Sequence, residues 1–197
     1  MKYIGVIGRY NDNKITYNKE IIDLIYNYGC IPVCISLRFI DDYEKEFNII
    51  KPLLDICNGF ILQGGSEFYN IDILIIKYLY GKDIPTLGIC LGMQTMACAF
   101  DGNLANIDKH NSRDKYVHTI TINENSKLYQ IIKQKEISVN SRHNEYVINT
   151  NLSKSSYSNV IESIEDSNKK FFIGVQWHPE SLMDKYSILL FDKFFSQ

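Results

Sequence analysis

No stretch of the chain approaches the ~18 consecutive apolar residues that a membrane-spanning helix requires. The opening segment, MKYIGVIGRY, is too short in its apolar run for a secretory signal. Charge of one sign is lacking too: 21 Lys and Arg stand against 23 Asp and Glu, a net charge of −2. That balance gives no electrostatic footprint for nucleic acid or an anionic membrane. Paired cysteines are missing as well. Cys30, Cys34, Cys57, Cys90 and Cys98 are odd in number and none is spaced Cys-x-x-Cys, so neither a disulfide framework nor a zinc motif is signalled. These absences make the cytoplasm the expected location. Internal repeats and low-complexity tracts are also absent.

What is present is ordinary globular material, 45% hydrophobic and 22% charged over 197 residues, enough for one domain with a full core and no staples. KYIGVIG (2–8), CIPVCISL (30–37), GFILQGG (59–65) and IPTLGIC (84–90) read as strands. Between them, Ile21, Ile22, Leu24, Ile25 and Tyr28 mark a helix closed by Gly29. Phe47, Ile50, Leu53 and Leu54 mark another, which Pro52 should start or kink. Residues 71–80 supply the next crossover. Strand–helix repetition with near-continuous apolar strands predicts a mostly parallel sheet flanked by helices. Cys30 and Cys34 read as buried strand residues. The second half differs: 115–122, 136–144, 159–166 and 170–177 look like strands with short connections, an antiparallel extension. The stretch 149–159, NTNLSKSSYSN, reads as loop, and 183–195 as a closing amphipathic helix.

Residues 85–94, PTLGICLGMQ, place a thiol between two glycines where an apolar strand gives way to a helix. In parallel α/β sheets reactive groups gather at the carboxyl ends of strands. A strand–Gly-x-Cys-x-Gly–helix turn would hold the Cys90 sulfur exposed on a tight elbow, as Gly-x-Ser-x-Gly does for serine hydrolases. The helix N-terminus would favour negative charge there. A cysteine nucleophile needs a base, and the base an orienting group. GVQWHPES supplies His178 after an apolar strand, with Glu180 two residues on and Pro179 restricting the turn between them. Either motif alone is open to a bland reading, an incidental cysteine or a surface histidine.

Together, GICLGMQ and GVQWHPE resemble the class I glutamine amidotransferase superfamily over nearly the whole chain. The resemblance implies a flavodoxin-like α/β fold, a single amidotransferase-like domain over 1–197, and a Cys90–His178–Glu180 triad. It also implies an oxyanion hole from the backbone N–H groups of Gly65 and Leu91, and no cofactor or metal. Gln94, one turn into the elbow helix, is similar to a pocket glutamine of these proteins.

YVHTITINENSKLYQI followed by VNSRHNEYV is similar to the γ-glutamyl hydrolase branch, which makes Ser141, Arg142 and His143 candidates for gripping the substrate. Gln63, where many relatives have proline, and Glu67, where many hydrolases have aspartate, depart from the pattern. Size and an Ile/Lys/Asn-rich composition are similar to small γ-glutamyl-CDP-amidate hydrolases of capsule biosynthesis. Lys109, His110, Arg113 and Lys115, with Arg142, would suit an anionic leaving group. The expected activity is therefore hydrolysis of a small γ-glutamyl substrate through a cysteine thioester, by a monomer or homodimer. The competing readings are a glutaminase subunit feeding ammonia to a synthase partner, and a binding protein on a retired amidotransferase scaffold.

Overall fold

The computed structural model describes residues 1–38, 42–108 and 110–197. The charged cluster's Lys109 lies outside them. The first half runs β1 (Tyr3–Ile7), β2 (Arg9–Asn11), β3 (Lys14–Thr16), α1 (Lys19–Asn27), β4 (Ile31–Ile35), α2 (Tyr43–Ile56), β5 (Gly59–Leu62), α3 (Asn70–Gly81), β6 (Thr86–Ile89) and α4 (Leu91–Ala99). The second half contributes β7 (Asn103–Asn106), β8 (His118–Ile122), α5 (Lys127–Ile132), β9 (Glu136–Val139), β10 (Glu145–Asn149), β11 (Ser153–Tyr157), β12 (Ile161–Glu165), β13 (Phe172–Val175), α6 (Pro179–Leu182) and α7 (Lys185–Phe195).

Nine strands form one sheet in the order β4-β1-β5-β6-β13-β12-β11-β8-β9. From β4 to β13 every pairing is parallel, and from β13 to β9 every pairing is antiparallel. A mostly parallel sheet with an antiparallel part, flanked by helices, is the α/β architecture that the sequence predicts. Strands β5, β6 and β13 are buried at every residue, which explains their unbroken apolar runs. The core has two layers. Helices α1, α5 and α7 cover one face of the sheet, packing Ile21, Leu128 and Phe191 against it. Helices α2, α3 and α4 cover the other with Leu54, Ile75 and Met93.

Three expectations are corrected and a fourth is narrowed. The last strand, β13, pairs parallel with β6 and so closes the parallel half, although it follows the antiparallel strands in sequence. The 149–159 stretch is not loop throughout: β11 runs through it, and Ser155 and Ser156 each share a hydrogen bond of 2.7 Å with Ser163 of β12. Serines satisfied in pairs build a buried strand that hydrophobicity cannot show. Cys34 is exposed because β4 is the sheet edge, while Cys30 is buried. Pro52 does not start its helix but sits inside α2, the position that the kink reading requires. The carbonyl it leaves unbonded belongs to exposed Asn48, where water can serve it. Among the described residues no helix is long and apolar enough to cross a membrane.

Helix α4 lies against β5 without room for a side chain at Gly92. A Cβ on Gly92 would lie 2.1 Å from the Leu62 carbonyl oxygen, inside any permitted contact. Gly92→Ala must therefore push helix from sheet, and we expect it to cost about 3 kcal/mol or more by urea unfolding. Unchanged stability would show that α4 can move freely off the strand.

Candidate active site

The turn from β6 into α4 is built by backbone contact. A Cβ at Gly88 would meet the Met96 sulfur at 2.4 Å and the Gly92 carbonyl carbon at 2.8 Å. Glycine is required on both sides of Cys90 because strand, turn and helix touch there through main chain. Cys90 itself takes φ +52° and ψ −107°, a region that residues with a Cβ occupy only under strain. Its backbone is held from both sides. The N–H donates to the Val175 carbonyl at 2.8 Å, and the carbonyl accepts from the Gln94 N–H at 3.1 Å. Leu91 follows as the first residue of α4, so its N–H has no acceptor within the helix.

Because β13 lies parallel to β6, its carboxyl end delivers residues 176–178 beside Cys90. Pro179 opens α6, a position where proline's fixed φ suits a helix start, and the turn folds Glu180 back on His178. His178 Nδ1 donates to Glu180 Oε1 at 2.8 Å, leaving Nε2 as the other ring nitrogen. The Cys90 side chain neighbours the imidazole and favours its charged form. Burial works against a charged imidazole here, but Cys90 and Glu180 together outweigh it. The His178 pKa is raised from 6.5 to about 10.

The Gly64–Gly65 turn closes the other side. A Cβ at Gly64 would sit 3.1 Å from His178 Cε1, and one at Gly65 would sit 3.0 Å from Leu91 Cδ2. A cavity of about 320 Å³ opens onto Cys90, lined by Gly65, Gln94, Arg142, His143 and Glu145 among others. Arg142 stands exposed at its rim, whereas His143 is buried. Burial pushes the His143 pKa down, against the bond that its Nδ1 donates to the Glu145 carbonyl at 2.8 Å. Gln94 is committed within the protein, its amide N–H donating to Glu145 O at 2.9 Å and Gln176 Oε1 at 3.3 Å. Ser141 does not line the cavity. It is wholly buried and its hydroxyl donates to the His110 carbonyl at 2.5 Å, so it braces the pocket wall. A larger cavity of about 580 Å³ between α5 and α7 is lined by Lys127, Lys133, Lys170 and Lys193, and holds none of the groups described above.

Residues 68–180, more than half of the chain and spanning Cys90, His178 and Glu180, match the Peptidase C26 family. The chain belongs to that family. The CTP synthase of Thermosipho africanus is 28% identical to this C26 protein over 222 residues, covering 90% of the chain but 42% of the synthase. A glutamine amidotransferase-like protein of Rickettsia prowazekii is 26% identical, covering 84% of this chain and 83% of its own. The chain thus spans less than half the length of the CTP synthases it matches. Among solved structures, the Trypanosoma brucei CTPS glutaminase domain with bound acivicin superposes with a TM-score of 0.70 over 100% of this chain and 94% of that one, at 16% identity. The fold is that of the class I glutamine amidotransferases.

Three positioning groups of this C26 site escape sequence reasoning. Asn140 holds His178 through its main chain, accepting from its N–H at 2.8 Å and donating to its carbonyl at 3.0 Å. Gln176 donates to the Cys90 sulfur at 3.6 Å. Asn18 donates to Glu180 Oε1 at 3.5 Å, and its own N–H is held by Gln63 Oε1 at 2.7 Å. Gln63 also donates to the carbonyls of Ile7 and Thr16, so it ties the β2–β3 hairpin to the glycine turn. Asn140 and Gln176 stood in stretches already singled out, Val-Asn-Ser-x-His and GVQWHPE, but with no role read for them. Asn18 stood in none, and its role depends on which elements are neighbours.

The electrostatics predict a titration. A histidine whose pKa is raised on folding contributes stability that is fully present below its unfolded value of 6.5 and is lost as pH climbs through about 10. NMR of the ring nitrogens should find His178 protonated well above pH 7. Glu180→Gln should lower its pKa, since the carboxylate that favours the cation is gone. A wild-type His178 titrating at or below 6.5 would refute the ion-pair arrangement.

Proposed function

We propose that the protein hydrolyses the γ-amide bond of a glutaminyl or γ-glutamyl substrate through a cysteine thioester. The observation that carries this reading is Cys90 on a strained elbow, lining a cavity and neighbouring a His178 that Glu180 orients. Cys90 Sγ attacks the γ-carbonyl carbon while its proton resides on His178 Nε2. The tetrahedral oxyanion takes hydrogen bonds from the N–H groups of Leu91 and Gly65 at the positive end of α4. The C–N bond then breaks as His178 returns the proton to the leaving nitrogen. Water, deprotonated by His178, attacks the thioester and releases the γ-carboxylate and the free thiol. Glu180 keeps the ring in one tautomer and supports its positive charge throughout.

For the leaving group, we favour ammonia passed to a synthase partner. Relatives named as CTP synthases, and the likeness to a glutaminase domain, support that assignment. A second reading, cleavage of a γ-glutamyl nucleotide amidate such as γ-glutamyl-CDP-amidate, rests on exposed Arg142 at the cavity rim. Exposed Arg113 and Lys115 lie in the segment that pairs with it through the Asn111–Arg142 bridge. A planar guanidinium suits a phosphate that a free amide lacks.

Purified protein should release glutamate from glutamine or from a γ-glutamyl phosphoramidate-type conjugate. Cys90→Ala should lower that rate at least about 1,000-fold, since the covalent route disappears. Wild-type-like turnover by Cys90→Ala would overturn the mechanism. If the conjugate is the better substrate and Arg142→Ala removes its advantage, most strongly at low salt, the nucleotide amidate reading replaces the glutaminase one.

A further inference from the structure

Three of the four histidines gather outside the Cys90–His178 pair, around a carboxylate the proposed reaction does not use. His110 precedes β8, His118 begins it, and Glu162 lies on β12, two strands away in the sheet. We propose that His110, His118 and Glu162 bind a divalent transition-metal ion of the Zn²⁺ type. The candidate donor atoms of the three side chains all lie within 4.8 Å of one another. His110 and Glu162 are buried, and His118, about one fifth exposed, faces the way in.

The hydrogen bonding around the cluster leaves acceptors over. Glu162 Oε1 accepts from Ser158 Oγ and meets His118 Nε2, each at 2.7 Å. Its other oxygen, Oε2, is buried with no partner among the described residues. The ring of His143 lies 5.0 Å from that of His110. Because His143 Nδ1 donates to the Glu145 carbonyl, its Nε2 carries a lone pair, and that atom too is buried without a partner. Imidazoles held by one nitrogen on a carbonyl, with the other free, are the usual setting of histidine ligands. Of these atoms Glu162 Oε2 is the buried ligand oxygen left without a donor, and a cation would satisfy it. Two imidazole nitrogens and a carboxylate select a borderline ion over Mg²⁺ or Ca²⁺, which prefer all-oxygen sets, and no thiol is present to favour softer ions. A water on the open position would have His143 Nε2 as its acceptor.

The ion would fix the pocket wall. The His110 carbonyl accepts from both the Ser141 hydroxyl and the His143 N–H, and Ser112 N–H donates to Ser141 O at 2.9 Å. Residues 110–112 therefore lie alongside 141–143, and anchoring His110 to β8 and β12 anchors Arg142 and His143 beside Cys90.

The test uses the full chain carrying Cys90→Ala, so that the reactive thiol cannot act as a ligand. Chelator-stripped protein is titrated with Zn²⁺, Co²⁺ and Mg²⁺. We expect one equivalent of Zn²⁺ or Co²⁺ per chain, a rise in Tm with either and none with Mg²⁺. Bound Co²⁺ should show visible d–d absorption without the near-ultraviolet band of a cobalt–thiolate bond. Adding Glu162→Gln or His118→Ala should weaken binding at least about tenfold. Failure to take up Zn²⁺ or Co²⁺, a thiolate band, or undiminished affinity in both folded variants would each overturn the proposal. The spectrum of protein with His118 and Glu162 intact decides the matter if those variants do not fold. None of these readouts depends on the reaction assigned to Cys90.

Discussion

The site depends on how closely the first turn of α4 lies against β5. With no Cβ allowed at Gly92 or Gly88, the helix starts in main-chain contact with the sheet. The one residue between strand and helix must then make the whole change of direction. That residue is Cys90, and its φ of +52° is the geometric cost, on the order of 1–3 kcal/mol for such conformations. The cost is sustained because both of its peptide groups are bonded, one to β13 and one within α4. The strain and the sulfur's place on the cavity wall have one origin, and Cys90 is buried there, not exposed as the elbow motif suggests. A residue in ordinary helical or extended geometry here would turn its side chain into the packed layers on either side.

The same bond to Val175 connects Cys90 to His178. It makes β13 the neighbour of β6, and the three residues that follow β13 must pass the elbow. Asn140, just beyond β9 at the far edge of the antiparallel half, then grips the main chain of His178. The antiparallel extension is thus part of the site's framework. Its polar residues hold it together where apolar ones do not: Glu165 accepts from the Lys127 and Leu128 N–H groups at the start of α5, at 2.7 and 3.0 Å.

Legibility followed locality. The elbow and the His-Pro-Glu turn could be read because each fits within a few consecutive residues, so the chemistry sits in the spelling. The parallel half could be read for a related reason, since strands buried on both faces are apolar throughout. Asn18, Gln63 and Gln176 could not, because their partners come from elements remote in sequence. Strand β11 was hidden by serines that satisfy one another, and β13 by following antiparallel strands in the chain while joining parallel ones in the sheet. Ser141 was drawn to the substrate by its motif, yet alternation along an extended segment turns it and its neighbours to different sides, inward for Ser141 and His143 and outward for Arg142. The His110, His118 and Glu162 cluster has no spacing to read at all.

That alternation divides the labour around the cavity. Cys90, His178, Glu180 and the glycine turn are held from the sheet, where any displacement is resisted by packing in both core layers. Arg142 is bridged to Asn111 of a segment whose Arg113 and Lys115 are exposed. In the proposed reaction the acyl group is fixed by the rigid side and the leaving nitrogen points to the variable one. A change in 110–118 can therefore alter which amine or amidate is accepted and leave the thioester chemistry unaltered. One elbow could then serve either of the two proposed reactions, because they differ at the rim and share everything beneath it.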